Sequence, residues 1–270
     1  MSEYLFAGMD SYDTPEGHPV SLGFRMMFRS RWYFYFHNFG IFIRSGRLAS
    51  RGKLDKENQI RLSSENIELI ENCGTRIHLR GLFHLRDLHD RPVVIVGNHM
   101  SLLETAVMHA IIREYVDFSF VVKNSLLRTP YMKDILNTIG AIGLTRENPR
   151  EDLKAVLTEG KRILQSGRSM IVFPQATRTR VFDREQFNSI GVKLAKSAGV
   201  PVVPMALKTD MLESGRILRD LGPIFPERDV RFEFGPAMEI EGTGQAQQQA
   251  IEEFITAAFA RWQSEEREKR

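Results

Sequence analysis

The stretch Pro92-Val93-Val94-Ile95-Val96-Gly97-Asn98-His99-Met100-Ser101-Leu102-Leu103-Glu104 decides the fold. An uninterrupted apolar run stops at a glycine, passes through a short polar turn and opens a helical stretch, Leu103–Glu114. That pattern reads as a buried strand followed by a helix. Downstream, the same two signals repeat. Apolar runs at Phe118–Lys123, Ala141–Thr145, Ser169–Phe173 and Val202–Leu207 alternate with helical stretches at Leu126–Ile139, Arg150–Gln165 and Phe187–Ala198. Val230–Phe234 reads as a last strand, Gln245–Glu265 as a closing helix and Thr75–Leu82 as a candidate leading strand. The alternation predicts an α/β fold, a largely parallel central sheet covered by helices. Such sheets bind ligands at the carboxyl ends of their strands, so the residues just past each strand are the ones to read for chemistry.

Composition excludes several other classes. The chain has 270 residues, with 42% hydrophobic and 26% charged residues. That is ordinary for a globular protein and unlike a collagen, a coiled-coil rod or a disordered chain. A single cysteine, Cys73, leaves no disulfide framework and no cysteine-rich zinc site. The net charge of +3 gives no ground for expecting nucleic acid as a partner. No run reaches the ~18–20 apolar residues of a membrane-spanning helix, and no secretory signal pattern opens the chain. The expectation is a cytoplasmic protein.

Charge is nevertheless segregated, and it divides the chain into residues 1–52 and an α/β domain over 53–270. Residues 1–18 hold Glu3, Asp10, Asp13 and Glu16 and no Lys or Arg, whereas residues 19–52 hold six arginines and no acid. Nine of the 26 aromatics lie between Phe24 and Phe42, too dense a cluster to be incidental. Phe24, Phe28, Trp32, Tyr35, Phe39 and Phe42 recur at steps of three and four, which predicts one helical face. Arginines flanking an aromatic face describe an amphipathic helix in a membrane interface, with residues 24–43 as the contact. A helix packing the same face on its own domain is the alternative. The resulting expectation is peripheral binding to the inner face of the membrane.

At the end of the first quoted strand, His99 is followed five positions later by Glu104. Five residues along a helix do not share a face, so His99 must precede the helix and reach back to its first turn. An imidazole oriented by a carboxylate can take a proton from a hydroxyl. His109 and Glu114 repeat the spacing inside a helix, where a surface or packing pair is expected. Gly97 and Ser101 stand beside the His99 turn. After Ser169–Phe173 come Thr177, Arg178 and Arg180, suited to a phosphate but also to an ordinary basic loop. Lys123 and Arg146 follow two further strands. Together with the His99–Glu104 pair these cations predict a site for an anionic substrate with a hydroxyl to activate.

Here the sequence resembles the glycerolipid acyltransferase family. Its first block, Asn-His-x-Ser-x-x-Asp, reads Asn98-His99-Met100-Ser101-Leu102-Leu103-Glu104. Lys123, Pro130, Gly140 and Arg146 fit the second. The third, Phe-Pro-Glu-Gly-Thr-Arg-Ser, reads Phe173-Pro174-Gln175-Ala176-Thr177-Arg178-Thr179, and Val203-Pro204 fits the fourth. Glu104, Gln175 and Ala176 depart from the usual Asp, Glu and Gly. The resemblance implies transfer of a fatty acyl group from acyl-CoA or acyl-carrier protein, as co-substrate rather than cofactor, to a lysophospholipid hydroxyl. The acceptor it points to first is 1-acyl-sn-glycerol 3-phosphate, with phosphatidic acid as product. It casts His99 as base, Glu104 as its orienter and Arg178 as the phosphate grip, supported by Thr177, Lys123 and Arg146, with backbone N–H groups near Ser101 as candidate oxyanion donors and no metal required. Another lysolipid, an aminoacyl-lipid acceptor or a non-catalytic lipid-binding relative are the alternatives.

Overall fold

The computed structural model describes residues 5–145, 147–175, 177–215, 218 and 220–268. In chain order the strands are β1 (Tyr12–Asp13), β2 (Ile77–Arg80), β3 (Val94–Gly97), β4 (Phe118–Lys123), β5 (Ile142–Leu144), β6 (Ser169–Val172), β7 (Val202–Lys208) and β8 (Val230–Phe234). The α-helices are α1 (Leu22–Met26), α2 (Arg31–Ser50), α3 (Lys56–Asn72), α4 (Leu82–Arg86), α5 (Leu103–Ile112), α6 (Met132–Ile139), α7 (Pro149–Gln165), α8 (Ile190–Ala198) and α9 (Gln245–Glu268). One sheet joins the strands in the order β1-β2-β8-β7-β3-β6-β4-β5. From β7 to β5 every pairing is parallel. β8 runs antiparallel to β7, and β1 antiparallel to β2, so the sheet is largely parallel with a reversed flank.

β3 lies between β6 and β7, with Ile95 opposite both Ile171 and Val203. Its neighbours come from crossovers that leave in opposite directions, and this switch point is where a crevice opens at the carboxyl ends. Side chains alternate across the sheet into two cores. Ile95, Ile171, Val203 and Leu207 join α3 and α5 on one face. Val94, Val96, Val172 and Ala206 join α7, α8 and α9 on the other. Gly97 ends β3 where a Cβ would stand 2.9 Å from the Met205 carbonyl oxygen, so the chain turns against β7 only because the side chain is missing.

Two expected helices are broken. Leu126–Ile139 splits into a 3₁₀ turn, Asn124–Arg128, and α6. Pro130 lacks an N–H for a continuing helix, and Tyr131 sits at φ 62°. In the N-terminal segment, Phe28 and Arg29 take φ values of 53° and 54°, which end α1 and restart the chain at Ser30, the N-cap of α2. The six aromatics therefore do not share one face. Phe24 and Tyr35 turn into the core with Phe34, and Phe42 packs edge-on against Tyr131. Phe28, Trp32, Phe36 and Phe39 face outward. Gly46 lets α2 lie against α6, since a Cβ there would meet the Tyr131 side chain at 2.4 Å.

Candidate active site

The site forms where β3, β6 and β7 end side by side. Asn98 fixes the first turn. Its amide donates to Leu207 O at 2.8 Å and accepts from Leu207 N at 2.9 Å, which extends the β3–β7 pairing through a side chain. The chain then turns at His99, and α5 begins at Leu103. Glu104, in the first turn of α5, is fully buried and reaches back to His99 Nδ1. Its Oε1 accepts from Met100 N, Ser101 N and Thr209 Oγ1, each at 2.7 Å. A buried carboxylate is tolerated only when so fully bonded. With Nδ1 held by Glu104, Nε2 is the nitrogen left for a substrate proton. The imidazole also stacks on Phe173 at the end of β6, with centroids 4.7 Å apart and planes at 17°.

The structure brings together His99, Glu104 and the loop after β6. In that loop Thr177 is exposed. Arg178 is half-buried and pairs with Asp220 at 3.0 Å, and Arg180 pairs with Glu213 at 2.9 Å. Arg178 lies beside Ser101 and Leu102, next to the His99 turn, and both guanidiniums carry resident carboxylate partners. Ser101 has a different place from the one expected. It is buried, its hydroxyl donates to Thr209 Oγ1 at 3.0 Å, and it accepts from Leu103 N. The amides around it are also committed, Met100 N and Ser101 N to Glu104 and His99 N to Gln175, so they do not form an oxyanion hole in this arrangement. Lys123 is exposed at the end of β4, two strands away from β3. Arg146 and Ala176 lie outside the described residues.

Of the two readings of residues 109 and 114, surface or packing, His109 takes the packing one. His109 is buried and stacked on Phe118 at 4.9 Å. Burial, helped by the nearby Arg113 charge, pushes its imidazole down to about 3. Glu114 lies beyond the end of α5, and burial raises its carboxyl above the usual range. Two residues bonded into the His99–Glu104 arrangement were not named from the sequence as site residues. Thr209 follows directly on β7, and the strand-end rule that selected His99 also reaches it. Gln175 links the two loops of the site, accepting from His99 N at 2.9 Å and donating to Thr179 Oγ1 at 2.7 Å.

The loop carrying Asp220 also touches α2. Tyr35 Oη donates to Gly222 O at 2.9 Å and an Arg31 nitrogen to Leu221 O at 3.4 Å. Burial pushes the Tyr35 phenol up to about 12, so it stays a donor at neutral pH. Leu102, Leu218 and Leu221 are exposed apolar residues at this edge of the site.

A family model described as Acyltransferase matches residues 66–208, which includes every element that builds the crevice up to the end of β7. The chain is 31% identical to the 1-acyl-sn-glycerol-3-phosphate acyltransferase of Pseudomonas aeruginosa over 193 residues, 72% of this chain and 69% of that protein. It is 30% identical to the enzyme of the same name from Borreliella burgdorferi over 115 residues, 43% of this chain and 45% of that one. In fold it is similar to the crystal structure of the 1-acyl-sn-glycerophosphate (LPA) acyltransferase PlsC from Thermotoga maritima, with a TM-score of 0.60 and 18% identity over 90% of this chain and 95% of that one. A histidine held by a buried carboxylate at a strand switch point, beside an arginine loop, is therefore set in a chain that belongs to the acyltransferase family.

Proposed function

We propose that the protein moves a fatty acyl group from a thioester, acyl-CoA or acyl-carrier protein, to the free hydroxyl of 1-acyl-sn-glycerol 3-phosphate, giving phosphatidic acid. The observation that carries this reading is the His99–Glu104 pair next to the Arg178 loop. His99 Nε2 accepts the hydroxyl proton as the oxygen attacks the thioester carbonyl. The tetrahedral intermediate collapses, the C–S bond breaks, and the imidazolium returns the proton to the departing thiolate. General-base help of this kind is worth about 10²–10⁴-fold. Glu104 keeps the ring in the right tautomer and balances the imidazolium. Arg178 takes the acceptor phosphate in place of Asp220, because a phosphate monoester offers more charge and more acceptor oxygens than one carboxylate.

The acceptor is a lipid, and the outward stripe of α1 and α2 suits a bilayer surface. Phe28 is 95% exposed and Phe36 78%, and exposed aromatics gathered in one short segment mark an interaction surface. Arg25, Arg29 and Arg31 stand among them, also exposed. Among the described residues no helix is long and apolar enough to cross a membrane, so the contact is peripheral in this reading. The inner face supplies anionic lipid to the arginines.

The test is thiol release from acyl-CoA, and from acyl-carrier protein, with and without 1-acyl-sn-glycerol 3-phosphate, followed by the mass of the lipid product. Release that depends on this acceptor and yields phosphatidic acid is the expected result. Release without acceptor, or only with a different lysolipid, would overturn the substrate assignment.

A further inference from the structure

We infer that Gln175 is a positioning residue, tying the main chain of the base His99 to the arginine loop so that base and phosphate grip are held as one unit. The inference builds on the acyl-transfer reading above. Gln175 is 4% exposed and sits between the two loops of the site. Its Oε1 accepts from His99 N at 2.9 Å, and its Nε2 donates to Thr179 Oγ1 at 2.7 Å. Thr179 N donates in turn to His99 O at 2.9 Å. Both peptide groups of His99 are therefore bonded to the loop that carries Arg178, and the three bonds close a ring.

The direction of each bond follows from donor chemistry. The Thr179 hydroxyl spends its one hydrogen on Val181 O, at 3.0 Å, so toward residue 175 it can only accept. Residue 175 must then accept from one side and donate to the other. An amide does both, whereas an ionised carboxylate only accepts. The Glu that the family pattern places here would have to turn the Thr179 hydroxyl away from Val181. Gln175 therefore supplies both the acceptor and the donor that the ring needs, without disturbing the Thr179 bond to Val181.

The ring acts on the chemistry through geometry. Glu104 and Phe173 set the tilt of the imidazole, and Glu104 also bonds the Met100 and Ser101 amides, but the N–H and C=O of His99 itself are held only through this ring among the described residues. A displacement of about 1 Å from an attacking geometry can cost ~10²-fold in rate. Gln175→Ala should therefore lower kcat by about 10–100-fold while KM for 1-acyl-sn-glycerol 3-phosphate changes by less than about threefold. Gln175→Glu retains an acceptor for His99 N–H and should restore kcat to within about tenfold of the parent.

The experiment measures kcat and KM for these variants and for Thr179→Val, together with amide hydrogen exchange at His99. Exchange should be faster in Gln175→Ala and slow again in Gln175→Glu. A folded Gln175→Ala with parental kcat, a loss confined to KM, or a Gln175→Glu no better than Gln175→Ala would each overturn the inference. Should Gln175→Ala not fold, Thr179→Val carries the test, with kcat expected to drop about three- to tenfold and an unchanged kcat counting against the ring. If the parent shows no acceptor-dependent thiol release, it is the acyl-transfer reading that fails. Exchange at His99 needs no turnover and still decides whether the tie exists.

Discussion

Glu104 and His99 divide the work so differently that their substitutions should separate stability from chemistry. Four donors converge on the buried Glu104 carboxylate, one of them His99 Nδ1. Glu104→Gln puts an NH₂ where one of those donors arrives and leaves a buried group unpaired, at a cost of about 1–3 kcal/mol. Its urea midpoint should fall along with kcat. The His99 side chain is partly open to solvent, so His99→Ala should keep the fold and lower kcat by about 10²–10⁴-fold. A His99→Ala protein with near-parental turnover would remove the base assignment. This pair was legible in the sequence because both members lie within five residues of one strand end. Thr209 and Gln175 reach it from 105 and 76 residues away, through strand neighbours that no local spacing encodes. Ser101 misled for the opposite reason. It is local to the site, but its hydroxyl caps the start of α5 and binds Thr209.

At the level of elements, α5 serves the site at one end and the core at the other. Its first turn supplies Glu104, and its last turn buries His109 against Phe118. Burial holds the His109 imidazole neutral down to about pH 3 in the folded protein, while in the unfolded chain it protonates near its usual value of about 6.5. Below that value the unfolded state binds the extra proton, so stability is lost as pH falls from about 6.5 toward 3. At pH 5 this one group costs about 2 kcal/mol relative to neutral pH. His109→Phe keeps a ring on Phe118 and removes the titration. Denaturation midpoints of the two proteins should diverge between pH 7 and pH 5, with the variant less sensitive to acid. Parallel curves would mean that His109 does not stay neutral in the folded state. The helical character of α5 was readable from its apolar pattern, but the fate of His109 was not, since period and spacing do not say which face meets β4. The break between α1 and α2 was hidden for a related reason. Phe28 and Arg29 adopt left-handed backbone that neither residue type announces.

Across the whole molecule, the charge of +3 resolves into −4 over residues 1–18, +6 over residues 19–52 and +1 over the rest. The fold treats the first two groups differently. Asp10 and Asp13 are consumed by Arg86 and Arg80 on the body, whereas Arg25, Arg29, Arg47 and Arg51 stay exposed. One surface therefore carries arginines and outward aromatics together. The helix that carries this surface also reaches the site, because the buried Tyr35 and the exposed Arg31 of α2 hold the loop whose Asp220 pairs with Arg178. If that surface meets the bilayer, the crevice receives its lipid acceptor directly from the membrane. Trp32→Ser with Phe36→Ser should then separate delivery from chemistry. Burying two such side chains in an interface is worth about 1.5–3 kcal/mol each, so vesicle binding should weaken more than tenfold. KM for lysophosphatidate presented in anionic vesicles should rise in parallel. Turnover of a short-chain, monomeric lysophosphatidate should stay within about twofold, because neither side chain belongs to the β3, β6 and β7 strand-end loops that build the crevice. Raising salt should weaken vesicle binding of the parent as the arginine contribution is screened. Equal losses on vesicle and monomeric substrate would place the stripe in the packing of the site rather than against the membrane.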